Sequence, residues 1–207
     1  MNPPIPIHLA VEDELSEWVA RRALSTRPIG YAVGAVYGRS GFGYLKRQAA
    51  AFNNAARRCP FLLLTDLDQF ACPSQLIEDW LARPKHPSFL LRVAVREIES
   101  WLLGDPAGLR GFLGLRSGFD FPAPEELADP KQEVLKLAWG SPRRAVREAL
   151  VWEQGTGGRL SQGPDYNATL ATFVAKYWDV AGASVKCRSL ARLFLALQRI
   201  EATHLAE

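Results

Sequence analysis

FLLLTDLDQF, residues 61–70, is the stretch from which the fold is read. Phe61 to Leu64 form a short unbroken apolar run, the composition of a strand covered on both faces. Such strands belong to parallel sheets with helices on either side. The run ends in two carboxylates, Asp66 and Asp68, which leave the strand at its C-terminal end.

Outward from this stretch, a rhythm of strand then helix repeats. IPIHLAV (5–11) reads as a first strand. EDELSEWVARRAL (12–24) follows as a helix, with Leu15, Trp18 and Val19 at helical spacing behind acids suited to a helix N-terminus. YAVGAVYG (31–38) is a second strand with a Gly-rich exit, and the Ala-rich, basic YLKRQAAAFNNAARR (44–58) is a helix by composition. PSQLIEDWLAR (73–83) carries Pro73 in its first turn. FLLRVAV (89–95) is a fourth strand and runs into REIESWLLGD (96–105), with a strand-to-helix junction near Glu97. The alternation predicts an α/β fold, a parallel sheet flanked by helices with right-handed crossovers.

After about residue 115 the texture changes. Residues 119–167 interleave Pro/Gly loops with short amphipathic helices, and SLARLFLALQRIEATHLAE (189–207) reads as a C-terminal helix. The expected organisation is an α/β domain over residues 1–115 and a helical and loop extension over 116–207, packed on it.

A chain of 207 residues can bury a substantial core, and 48% hydrophobic, 10% aromatic and 23% charged residues exclude a disordered or fibrous protein. A net charge of +3 and a pI near 8.9 permit nucleic acid as a partner without requiring it. Cys59, Cys72 and Cys187 are odd in number and lack CxxC spacing, so neither a zinc knuckle nor a disulfide framework is indicated. No segment approaches the roughly 20 apolar residues of a membrane span, and the N-terminus lacks a basic start with an apolar stretch. The expectation is a cytoplasmic protein with no membrane contact.

In open parallel sheets, ligands sit outside the carboxyl ends of the strands. Glu12 follows the first strand, Asp66 and Asp68 the third, and Glu97 and Glu99 the fourth. Singly, each has a plain reading: Glu12, Asp13 and Glu14 complement a helix dipole, and Asp68 is a turn residue or an N-cap. Together at one sheet edge they repel, which demands shifted pKa values or a cation. Hard oxygen ligands without paired His or Cys favour Mg²⁺ or Mn²⁺. His8, His86 and His204 are scattered, with no pair at ligand spacing.

The ordered set of VEDE (11–14) after a strand, TDLD (65–68) after a later strand, and REIESWLLGD resembles the Toprim-like family. That is the catalytic fold of topoisomerases, bacterial primases and the overcoming-lysogenization-defect nucleases. The likeness covers roughly the first half of the chain and is nearest to small standalone bacterial members linked to phage defence. It implies a Toprim-like sheet and a divalent-metal-dependent nuclease cleaving DNA or RNA. By the same resemblance, Glu12 is a metal ligand or general acid/base, and Asp66 and Asp68 are the metal-binding pair. Glu97, with Glu99, matches the acids that serve a second metal, and Lys131 in DPKQ matches a lysine that stabilises developing charge. One position departs: where nuclease members carry another acid a helical turn after the first Glu, Ser16 stands, with Glu17 beside it. A one-metal site is therefore better supported than a two-metal site.

The implied chemistry needs no covalent nucleophile, and nothing marks Tyr31, Tyr37 or Tyr44 for one. Candidates for phosphate contact are Arg39 in GRSGFGY (38–44), Lys46, Arg47 and Arg96. Arg143 and Arg144, with Arg147, form a possible basic face near Trp139 and Trp152. Each also reads plainly, GRSGFGY as a turn and Arg143–Arg147 as a solvated helix. The expected partners are nucleic acid and a partner protein of a defence system.

Three rival readings use the same residues. A receiver domain would phosphorylate Asp66 and hold Mg²⁺ on Glu12 and Asp13, leaving Asp68, REIES and the C-terminal half without a role. A haloacid-dehalogenase phosphatase would want DxD after the first strand and a Thr where Gln69 and Phe70 stand. A degenerate Toprim-like module would bind nucleic acid or a partner and sense rather than cut.

Overall fold

The apolar run Phe61–Asp66 forms β3, an inner strand of a four-stranded parallel sheet. Its neighbours are β1 (Ile5–Val11) and β4 (Phe89–Ala94), and β2 (Tyr31–Gly38) lies beyond β1, giving the order β2-β1-β3-β4. The computed structural model describes residues 3–38, 40–154 and 159–206.

Strand parity explains why the run is unbroken. Leu62 and Leu64 face one side of the sheet with Ile5, Ile7, Leu9 and Val11, while Phe61 and Leu63 face the other with Ala10, Phe89 and Leu91. Both sides are covered, so neither set can be polar. Helix α1 (Glu14–Ser25) packs on the first side, and α2 (Phe42–Ala55) and α3 (Pro73–Trp80) on the second. The chain steps outward from β1 to β2 over one face, then returns across the sheet over the other. Right-handed crossovers require that change of face, and it sets the topological switch point between β1 and β3. This is the parallel α/β sheet flanked by helices that the sequence predicts.

At the end of β2, Gly38 has φ +108° and lies opposite Val11 in the ladder. A Cβ at Gly38 would sit 2.0 Å from the Val11 carbonyl oxygen, so only glycine fits beside the turn that carries Glu12.

The second half of the chain continues with α4 (Ile98–Leu103), α5 (Pro106–Leu113), a 3₁₀ turn at Pro124–Glu126, α6 (Pro130–Trp139) and α7 (Arg144–Leu150). An antiparallel hairpin of β5 (Val151–Gln154) and β6 (Arg159–Gln162) precedes α8 (Tyr166–Lys176), α9 (Val180–Lys186) and α10 (Arg188–Ala206). The hairpin departs from the sequence expectation of loops and helices, because its four-residue strands lack an apolar run. Helix α8 packs against α1 and α10 against β4. One continuous cluster of buried side chains joins β1 and α1 to Trp101, Phe173, Trp178 and Leu197. The Trp101 indole donates to Ser189 Oγ at 2.7 Å, and Arg27 donates twice to Glu201, at 2.7 and 2.8 Å, tying the segment after α1 to α10. No helix among the described residues is long and apolar enough to cross a membrane. All three cysteines are free.

Candidate functional site

Glu12 is the first residue past β1 and Asp66 the last of β3, so both stand at the switch point. Glu12 Oε1 accepts the Asp66 backbone N–H at 2.9 Å and a short bond from the Thr65 hydroxyl. Asp13, next in sequence, caps α1 by accepting the Ser16 N–H at 2.8 Å. Its other oxygen faces the Asn167 amide at 3.5 Å.

The acids after β4 enter from the same edge. Glu97 is the N-cap residue of α4, and its carboxylate turns outward to accept the Lys131 backbone N–H at 3.1 Å, at the start of α6. Glu99 is buried. One of its oxygens accepts the Tyr166 hydroxyl at 3.0 Å and lies 3.6 Å from Lys131 Nζ, while Oε2 is buried without a hydrogen-bond partner. Lys131 Nζ is also 4.0 Å from Glu97.

These groups perturb one another. Burial pushes the Asp66 carboxyl well above its ordinary value, and the nearby Glu99 and Glu12 charges push it further, against Lys131. Burial also raises Glu12, although the bonds from Thr65 and Asp66 partly offset this, and Asp13 and Asp68 repel it. Burial raises Glu99, opposed first by Lys131. For Lys131, burial favours the neutral amine, but Glu99 and Glu97 outweigh it and hold the ammonium above its usual range. The result is a desolvated, mutually repelling acid cluster with one lysine set among it.

Asp68 and Arg96 share a backbone feature. Both are non-glycine residues with positive φ, 50° and 65°, and the Asp68 N–H donates to the Arg96 carbonyl at 3.3 Å. The loops leaving β3 and β4 are thus bonded to each other through two left-handed residues, a costly conformation held by its surroundings. Both side chains are exposed at the rim.

The remaining candidates scatter. Lys46 pairs with Asp79 at 2.7 Å between α2 and α3, and Arg47 is exposed on α2. Arg39 lies outside the described residues. Arg143 donates to the Phe112 carbonyl at 2.7 Å and packs against Gly114, so its guanidinium closes the end of α5. Arg144 pairs with Glu148 on the exposed side of α7 at 2.8 Å. Ser16 is buried, and Glu17 bonds Arg21 at 2.8 Å.

Tyr166 and Asn167, at the start of α8, went unnoticed in the sequence. No local pattern marks GPDYN as a partner of residues 13 and 99; only the packing of α8 on α1 brings them together.

Among the described residues, no three acids, histidines or cysteines are close enough to form a ready-made metal shell. The donor chemistry nonetheless fits a hard cation: all-oxygen ligands, carboxyls lifted by burial and repulsion, and an orphaned Glu99 oxygen. Mg²⁺ commonly keeps several waters and takes only one or two carboxylates, so a closed protein shell is not required.

No protein-family model and no curated protein matches the chain. Among solved structures, the chain is similar to the C-terminal region of the Burkholderia pseudomallei OLD protein, at 15% identity and a TM-score of 0.43, covering 98% of this chain and 100% of that one.

Proposed function

We infer that the chain is a divalent-metal-dependent phosphodiesterase acting on nucleic acid. The observation that carries this reading is the Glu12–Asp66 pair at the β1–β3 switch point, bonded through the Asp66 amide and surrounded by carboxyls that resist ionisation without a cation. Glu12 and Asp66 would hold Mg²⁺ or Mn²⁺, with Asp68 at the rim. A bound cation there supplies Lewis-acid polarisation of a phosphoryl oxygen and an acidified water. Thr65 and the Asp66 amide fix the Glu12 carboxylate so that its free oxygen keeps one direction. Lys131 stays protonated among Glu97 and Glu99 and offers a positive charge to a phosphate at this edge. Tyr166 holds Glu99, and through it Lys131, in place.

The test is cleavage of supercoiled DNA, single-stranded DNA and transfer RNA with Mg²⁺, Mn²⁺ or EDTA, beside Glu12→Gln and Asp66→Asn. Metal-dependent cutting lost in both variants supports the reading and names the substrate. Absence of cutting by folded protein on every substrate and metal overturns it in favour of a module that binds nucleic acid without cleaving it.

A further inference from the structure

The opposite edge of the sheet carries the reverse charge. Where β1, β3 and β4 begin, a cleft of about 560 Å³ opens between the sheet and α10. Arg57 and Arg58 line it from the segment after α2, Lys85 from the loop before β4, Arg92 from β4 itself and Arg199 from α10. None of the five forms an ion pair with a carboxylate among the described residues.

Two observations show that this cleft is more than a solvated basic surface. Arg92 Nε is buried without a hydrogen-bond partner, so part of a guanidinium has left water with nothing in exchange. The loop carrying Lys85 is also fixed, since Asn53 donates to the Pro84 carbonyl at 3.1 Å and accepts the His86 N–H at 2.8 Å. Burial, then repulsion from Arg199 and Arg192, disfavours the Arg92 charge; burial, then Arg92 and Arg199, does the same to Lys85. Converging cations with an unmet donor and no acid are compensated when an anion occupies the space between them.

We propose that this cleft is a second ligand site, binding a phosphate-bearing anion through Arg92, Lys85 and Arg199. Guanidinium forks match phosphate oxygens in pairs, and the volume suits a ligand of nucleotide size. The phosphate belongs either to a free nucleotide or to the backbone of a nucleic acid strand. Strands of this length, at about 3.3 Å per residue, put the cleft roughly 20 Å from the acid cluster. The site is therefore separate from the one that carries the proposed cleavage and does not depend on it.

The test is thermal unfolding at low salt with inorganic pyrophosphate, against sodium chloride at matched ionic strength. Wild type should gain on the order of 5 °C in Tm at pyrophosphate a hundredfold above its Kd. Lys85→Gln and Arg199→Gln, both changes at accessible side chains, should lose that gain, whereas Glu12→Gln at the far edge should keep it. Arg92→Gln should lose the gain while its ligand-free Tm holds or rises, because one repelling charge is gone. Chloride matching pyrophosphate, or an equal gain in wild type and the Lys85 and Arg199 variants, overturns the proposal. Fluorescence anisotropy of a labelled single-stranded oligonucleotide then assigns the source. Displacement by pyrophosphate from wild type points to a strand backbone, and pyrophosphate binding that leaves the oligonucleotide untouched points to a free nucleotide.

Discussion

The Asp66 amide donates to the Glu12 carboxylate at 2.9 Å, so the acid after β1 and the acid ending β3 are fixed in one register. The bond needs an acceptor at position 12 but not a charge. Glu12→Gln should therefore fold like wild type, whereas Glu12→Ala leaves the amide and the Thr65 hydroxyl unpaired and should cost about 1–3 kcal/mol. Both should lose about tenfold to a hundredfold or more in cleavage, since disturbing even the groups that orient a metal's ligands costs that much. Denaturant unfolding and cleavage rates check the two effects separately, and a Gln variant that cuts normally would remove Glu12 from the chemistry.

Asp66, Glu99 and Glu12 all hold protons more tightly in the folded chain than in the unfolded one. Folded protein then binds more protons between the ordinary carboxylate range and the raised values, so this cluster's contribution to stability falls as pH rises through that window. Metal-free Asp66→Asn should gain on wild type as the pH goes from about 5 to 8, and Mg²⁺ should close that gap by stabilising wild type alone. Unfolding curves with EDTA and with Mg²⁺ measure it. An unchanged difference across the pH range would mean that Asp66 is not held as the geometry implies.

Lys131 is the cation beside Glu99, and Tyr166 is its hydrogen-bond donor. Lys131→Met should destabilise the protein by about 1–3 kcal/mol near neutral pH, with the loss shrinking as Glu99 protonates. Tyr166→Phe should cost on the order of 1 kcal/mol and slow cleavage without abolishing it. A deficit of Lys131→Met relative to wild type that is the same at neutral and at acid pH would contradict the contact.

Gly38→Ala places a methyl group 2.0 Å from the Val11 carbonyl at φ +108°. Backbone strain of this kind alone costs about 1–3 kcal/mol, and the ladder beside Glu12 must also open. Gly111→Ala, in α5 with nothing within 4 Å of the added carbon, should instead gain about 0.5–1 kcal/mol. Paired Tm measurements distinguish them, and equal stability would mean that β2 does not pass Val11 as described.

The three thiols should separate by pH. The Ser74 hydroxyl beside exposed Cys72 lowers its pKa, so its thiolate forms first as pH rises. Burial raises Cys59, and it pushes buried Cys187 up to about 12. Alkylation followed by peptide mapping should label Cys72 first, Cys59 slowly, and Cys187 only after unfolding. Early labelling of Cys187 would show that α10 opens readily.

The strands of the parallel sheet were legible because β3 is covered on both faces, so Phe61–Leu64 stay apolar without a break and FLLLTD announces itself. The acids were legible because a parallel sheet sends every strand's C-terminus to one edge, and chain order alone then gathers Glu12, Asp66 and Glu97. What tertiary packing creates was not legible. Tyr166 meets Glu99 from 67 positions along the chain, and the cations of the far cleft come from four separate segments. Arg143 reads as part of a basic face but closes the end of α5, because the Phe112 carbonyl that it serves carries no mark in the sequence.

Lys131 and Tyr166 come far later in the chain than the acids they contact. During synthesis the ribosome delivers Glu12, Asp66, Asp68, Glu97 and Glu99 while the lysine and the tyrosine are still unmade. A product terminated before residue 130 owns every acid of the cluster and lacks the groups that hold Glu99 and Glu97 in place. Assembly of the cluster therefore waits on the C-terminal segment: a copy that stops short of residue 130 carries the acids but neither Lys131 nor Tyr166 to meet Glu99.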